Sequence, residues 1–149
     1  MKKILYLDMD GVLADFLGAV EKTSPEIRAE YGERLDEIPG IFAAVEPTAG
    51  ALAAFDCLCD LFDVYVLSTP CWSKPESWVH KLNWVKQYLG PKAEKRLILS
   101  HHKNLNAGDF LVDDRTKNGA GEFTGELIAF GSEKFPDWTA VVEYLKDKA

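Results

Sequence analysis

Cysteine, histidine and long apolar runs are all scarce in this chain. Only Cys57, Cys59 and Cys71 occur among 149 residues, too few and too clustered for a disulfide framework, and they fit a reducing cytosol. No uninterrupted apolar stretch reaches the roughly 18 residues of a membrane span. Met1-Lys2-Lys3 and the apolar run after it imitate the start of a signal peptide, but Asp8 and Asp10 cut that run short. The reading is a cytoplasmic protein with no membrane partner. Basic side chains are the minority, 17 against 24 acidic, for a net charge of −7. A negative field repels polyphosphate, which argues against a nucleic-acid polymer as partner. A small phosphorylated substrate held by a few local cations stays open. There is no repeat, no low-complexity tract and no long linker. With 47% hydrophobic and 28% charged residues the composition argues against disorder. The length suits one domain, 1–149, able to bury a core without disulfides.

What is present alternates. Residues 3–7 are a short apolar run of the kind that forms a strand buried on both faces. Residues 63–67, 96–99, 110–112 and 126–130 read as four further strands. Between them lie helical patterns: Val12 to about Tyr31 with a break at Ser24-Pro25, Thr48 to about Leu61, 75–89 and 137–146. The helix from Thr48 is apolar on nearly every face and is expected to be largely buried. In 75–89, Trp78, Leu82, Val85 and Leu89 recur as one helical face. Residues 16–46, with Pro and Gly breaks, read as a small helical cap inserted after the first strand. The predicted fold is α/β: a Rossmann-like parallel five-stranded sheet with helices on both faces.

Position carries the functional information. Three predicted strands end in residues able to do chemistry: Asp8 and Asp10 after the first, Ser68 and Thr69 after the second, Asp113 and Asp114 after the fourth. In an open parallel sheet ligands bind beyond the carboxyl ends of the strands, so these groups should share one crevice. Asp8-Met9-Asp10-Gly11 offers two carboxylates that can share a hard cation, with Asp113 or Asp114 completing an oxygen site suited to Mg²⁺. The bland alternative is a solvated turn capping a helix. Ser68 and Thr69, with backbone N–H groups, make an anion pocket; alone they would only cap the turn at Pro70. Lys103 can pair with a phosphate oxygen and with Asp8, although a lone lysine is usually surface decoration. His101-His102 lacks the further spaced ligands of a transition-metal site. Gly119, Gly121 and Gly125 do not match dinucleotide spacing and read as loop glycines. Nothing adjacent to Cys71 activates its thiol.

These residues, in this order, resemble the haloacid dehalogenase superfamily of phosphotransferases. Its DxDx[TV] motif is matched by Asp8-Met9-Asp10-Gly11-Val12, its Ser or Thr by Ser68, its lysine by Lys103 and its acidic pair by Asp113-Asp114. More narrowly, the run Asp8 to Phe16, then Ile41-Phe42 before Pro47, Ser68-Thr69-Pro70 and Asp113-Asp114-Arg115 looks like the 5′(3′)-deoxyribonucleotidase family. The resemblance implies a phosphatase acting on nucleoside monophosphates. It places Phe16 and Phe42 against base and sugar, with Trp72 beside them, and Arg115 near the phosphate or sugar. Read from the residues alone, Phe16 can overhang the crevice and stack on a base, or Phe16 and Phe42 can simply pack the cap onto the core.

The chemistry expected of such a site is in-line attack by Asp8 to form an aspartyl-phosphate, with Asp10 first as acid and then as base. Mg²⁺ would be held by Asp8, the backbone carbonyl of Asp10 and the acidic pair. Competing readings are a phosphatase of sugar phosphates or other small phosphoesters, and a receiver-type phospho-acceptor. A receiver carries its acidic pair after the first strand, which disagrees with the order here. A DxD glycosyltransferase rests on that motif alone. The apolar aromatic content allows a homodimer.

Overall fold

Branched and aromatic residues in short runs form β1 (Ile4–Leu7), β2 (Asp63–Ser68), β3 (Leu97–Leu99), β4 (Phe110–Asp113) and β5 (Glu126–Ala129) in the computed structural model, which describes all of residues 1–149. All four pairings are parallel, in the order β3-β2-β1-β4-β5. The register sets Leu7 against Val66 on one side and Val112 on the other. β1 is therefore central, and its carboxyl end lies between those of β2 and β4.

The two sheet faces are covered differently. Leu5, Leu7, Val64, Val66 and Val112 share the main core with α3 (Ala51–Leu61), α4 (Pro75–Tyr88) and α5 (Trp138–Lys146). The opposite face is a smaller cluster of Tyr6, Leu67, Leu111, Ala120 and Phe123, whose helical cover is single 3₁₀ turns at Lys103–Leu105 and Ala120–Glu122. The predicted alternation of strands and helices is thus present, with short turns serving as the helices of the second face. No helix is long and apolar enough to cross a membrane.

Three expectations are corrected. The first helix does not begin at Val12: residues 11–14 are a turn, and α1 (Phe16–Glu21) starts after Asp15, whose side chain accepts from the Gly18 N–H at 3.0 Å. α2 (Pro25–Tyr31) follows with Ser24 as its cap, as the Ser-Pro pair predicts. Second, α3 is not buried all round. Ala51, Ala54, Phe55 and Leu58 face the core while Leu52 is exposed, because alanine and cysteine tolerate either environment and leave the buried side undefined. Third, the buried stripe of α4 is Ser77, Lys81, Trp84 and Val85. Val79 and Leu82 are exposed, and with Trp78, Leu97 and Leu99 they line an open groove of about 1100 Å³ beside edge strand β3. None of the strand-end polar residues lines that groove.

Candidate active site

The sharp exit from β1 sets the site. The Asp8 N–H donates to Val112 O at 2.9 Å, extending the ladder one residue past the strand. The chain then reverses, with Val12 and Ala14 N–H both donating to Met9 O. Gly11 takes φ +79°, and a Cβ there would collide with Asp114 Oδ2. The glycine thus permits the turn and lets the second strand-end acid approach the first.

A cavity of about 630 Å³ opens above the strand ends. Asp8, Asp10, Thr69, Lys103, Asp113, Asp114 and Arg115 all line it, as do Phe16, Phe42 and Trp72. Ser68 is fully buried beneath. The Phe16 and Phe42 rings stack at 5.5 Å between centroids, Phe42 buried and Phe16 half-buried. The Trp72 indole is 80% exposed and packs edge-on against His101. The Thr69 hydroxyl is occupied, donating to Ser100 O at 2.8 Å.

Two lysines organise the acids. The Lys103 ammonium donates to Asp8 Oδ1 at 3.0 Å and to Asp113 Oδ2 at 2.6 Å, both buried contacts. Lys81, also fully buried, donates to Asp10 Oδ2 at 2.7 Å and to Ser68 Oγ at 2.8 Å, with its ammonium 4.5 Å from the centre of the Phe42 ring. Asp10 Oδ1 is buried and has no partner. The sequence reading did not include Lys81. Its signal was a lysine in step with Ser77 and Trp84 on one helical stripe, masked by the equally periodic Trp78 and Leu82.

Burial pushes the Asp8 carboxyl well above the ordinary range; Lys103 pulls against that, and Asp113 and Asp10 push with it. Asp114 reaches solvent but is raised too, by the protein packed around its carboxyl first and then by Asp113, with Arg115 opposing. Burial works against the charge on Lys103, but Asp8 and Asp113 outweigh it and raise its pKa.

One oxygen from each of Asp8, Asp113 and Asp114 lies within 4.8 Å of the others. Three hard oxygen donors crowded together fit a small divalent cation of the Mg²⁺ kind, whose charge would offset the burial and the mutual repulsion that raise Asp8 and Asp114. The Asp10 carboxylate is not in this group, since Lys81 holds it. Of the acidic pair, Asp113 is the buried member, taking Lys103 on one oxygen and the Arg115 N–H on the other at 3.0 Å.

Comparison with known proteins bears on this arrangement. A profile of the family described as 5′ nucleotidase, deoxy (pyrimidine), cytosolic type C protein matches residues 22–139. A Vibrio phage KVP40 protein, named as a candidate 5′(3′)-deoxyribonucleotidase, is 56% identical over 144 residues, which is 97% of this chain and 85% of that one. The human 5′(3′)-deoxyribonucleotidase of cytosolic type is 29% identical over 165 aligned positions, covering 91% of this chain and 77% of the human one. A haloacid dehalogenase-type hydrolase from Bacillus subtilis, solved bound to magnesium, superposes with a TM-score of 0.62 over 91% of this chain and 90% of that one. At 12% identity it speaks for the fold alone. With the family profile spanning most of the chain and a relative sharing more than half of the aligned residues, the chain belongs to the 5′(3′)-deoxyribonucleotidase family of phosphatases.

Proposed function

We propose that the protein hydrolyses deoxynucleoside monophosphates to nucleoside and phosphate through an aspartyl-phosphate on Asp8, with Mg²⁺ as its metal. The observation that carries this reading is the division of labour between the two acids of the DxD. Asp8 is held by Lys103 beside two further carboxylates, whereas Asp10 is held by Lys81 through one oxygen and keeps the other free and buried.

An Asp8 oxygen attacks phosphorus in line as the bond to the sugar oxygen breaks. Asp10 gives its proton to that leaving oxygen. Water then attacks the phosphorus of the acyl phosphate and returns a proton to Asp10, and the Asp8 carboxylate leaves unchanged. Lys103 and Ser68 hold equatorial phosphate oxygens, where charge spreads in the transition state. The Thr69 hydroxyl is engaged elsewhere, so its backbone N–H is the group that serves. Asp8, Asp113 and Asp114, with the Asp10 carbonyl, would hold the cation. When bound, it supplies charge neutralisation between the attacking carboxylate and the phosphate.

Residues 16–46 act as a cap over this crevice. Phe16 faces the base, backed by Phe42, with Trp72 opposite and Arg115 toward the sugar or phosphate. The test is phosphate release from 5′- and 3′-deoxynucleotides, ribonucleotides and sugar phosphates, with Mg²⁺ and with chelator. Mg²⁺-dependent turnover strongest on deoxynucleoside monophosphates is expected. Turnover confined to sugar phosphates would overturn the substrate reading, and a stable phospho-form without turnover would overturn the enzyme.

A further inference from the structure

Lys103 stands outside the central strands that carry the acids of the site. Asp8 and Asp113 end or directly follow the two central ladders, and Ser68 ends β2. Lys103 instead begins a single 3₁₀ turn after the three-residue edge strand β3, and Leu105 in that turn is 77% exposed. Yet its ammonium must reach the nucleophile accurately, because a misplacement of about 1 Å in a catalytic constellation costs about 10²-fold.

The end of β4 and the loop leaving it provide the anchor and grip the lysine at both ends. The Lys103 backbone N–H donates to the Asn118 carbonyl at 2.7 Å. Its ammonium donates to Asp113 Oδ2, and the other oxygen of Asp113 is fixed by the Arg115 N–H. Bringing the Asn118 carbonyl onto Lys103 takes two successive left-handed residues, Asn118 at φ 56° and Gly119 at φ 82°. Asparagine tolerates that region better than most residues. At 119 a Cβ would collide with Asn104 Oδ1 and stand 2.9 Å from the Lys103 backbone nitrogen. Both obstacles belong to the turn that carries the lysine.

We infer that Asn118 and Gly119 are positioning residues for Lys103: their left-handed turn seats a carbonyl on the lysine backbone and so sets the reach of its ammonium to Asp8. The inference rests on the phosphatase reading of the same site. Asn118 also lines the cavity, but its contact to Lys103 is through the backbone carbonyl, so glycine should keep that contact, whereas alanine, which resists φ above zero, should not.

The test pairs kinetics on p-nitrophenyl phosphate and on a deoxynucleoside monophosphate, with Mg²⁺ supplied, with calorimetric binding of vanadate as a mimic of the transferring phosphoryl group. Gly119→Ala should lower kcat by roughly 10- to 100-fold with KM changed less than about threefold, as expected for a displaced lysine. Asn118→Ala should lose several-fold in kcat and Asn118→Gly should regain it. Vanadate binding should weaken about tenfold in Gly119→Ala, yet show no further loss when Gly119→Ala is added to Lys103→Met. Equal loss in that background, or unchanged kcat in both alanine variants, would overturn the inference. If Gly119→Ala fails to fold, the Asn118 pair and its cycle with Lys103→Met decide. Turnover of p-nitrophenyl phosphate without turnover of nucleotides would sink the substrate reading and leave this test intact. No turnover of either by the unaltered protein would overturn both.

Discussion

The fully buried Lys81 ammonium pairs with the half-buried Asp10 carboxylate, Nζ to Oδ2 at 2.7 Å, and leaves Asp10 Oδ1 buried without a partner. The same ammonium touches Ser68 and lies over the Phe42 ring, so one side chain ties α4 to two strand ends and to the segment above them. If its task is to aim Asp10 as a proton donor, Lys81→Met should depend on the leaving group. With a deoxynucleotide, whose alkoxide needs a proton, kcat should fall about 10²-fold or more. With p-nitrophenyl phosphate, whose phenolate leaves unaided, the fall should be much smaller. Equal losses on both would mean that Lys81 serves Ser68 and the phosphate instead.

Asp8→Asn should abolish turnover, by at least about 10³-fold, while the protein still melts cooperatively at or above its normal temperature. Asp113 remains to pair Lys103, and a carboxylate that burial disfavours is gone. Steady-state rates and a thermal melt check both halves. Near-normal activity would remove Asp8 from the role of nucleophile.

Acid and cation should act on stability against each other. The Asp8 and Asp114 carboxyls are raised in the folded state, first by burial, so they stay protonated at pH values where the unfolded chain, near about 3.9, has released its protons. The folded state then binds more protons, and stability falls as pH rises through that window. Cation-free protein should therefore lose melting temperature, through these two groups, from about pH 4 upward until their folded pKa values are passed. The gain on adding Mg²⁺ should be smallest near pH 4 and grow with pH, because cation and protons compete for the same oxygens. Melts in chelator and in Mg²⁺ across this range test it. A gain independent of pH would place the cation elsewhere.

Phe16→Ala should raise KM for deoxynucleotides by roughly 5- to 100-fold, in line with about 1–3 kcal/mol for one base–aromatic stack. KM for p-nitrophenyl phosphate should move little. Phe42→Ala is the less informative change, since Phe42 is buried in the main core and its loss would also loosen packing.

The strand ends were legible because a buried parallel strand is a short apolar run, and polar residues placed at its end stand out against it. Asp8, Asp10, Ser68, Asp113 and Asp114 announce themselves in that way. Lys81 did not, because its helix carries two periodic stripes and periodicity alone does not say which faces inward. The choice is made by tertiary structure: β3 is only three residues long, so Trp78 and Leu82 meet an open groove while Ser77 and Lys81 turn toward the core. The turn at residues 11–14 carries a helical pattern for a similar reason. Val12, Leu13 and Ala14 are all fully buried, and what sets their conformation is distant: Thr48 N–H donates to Leu13 O, and Ala14 bridges to Pro47.

The turn that follows Asp8 and Asp10 is also held from far along the chain, where the Trp138 indole N–H donates to Val12 O at 2.9 Å. Trp138 opens α5, the final helix, and is itself buried in the core. The turn beside Asp8 and Asp10 is thus clasped by a residue 126 positions further along the chain. A molecule clipped before Trp138 would keep every acid and lysine of the site but lose the hydrogen bond that holds their turn.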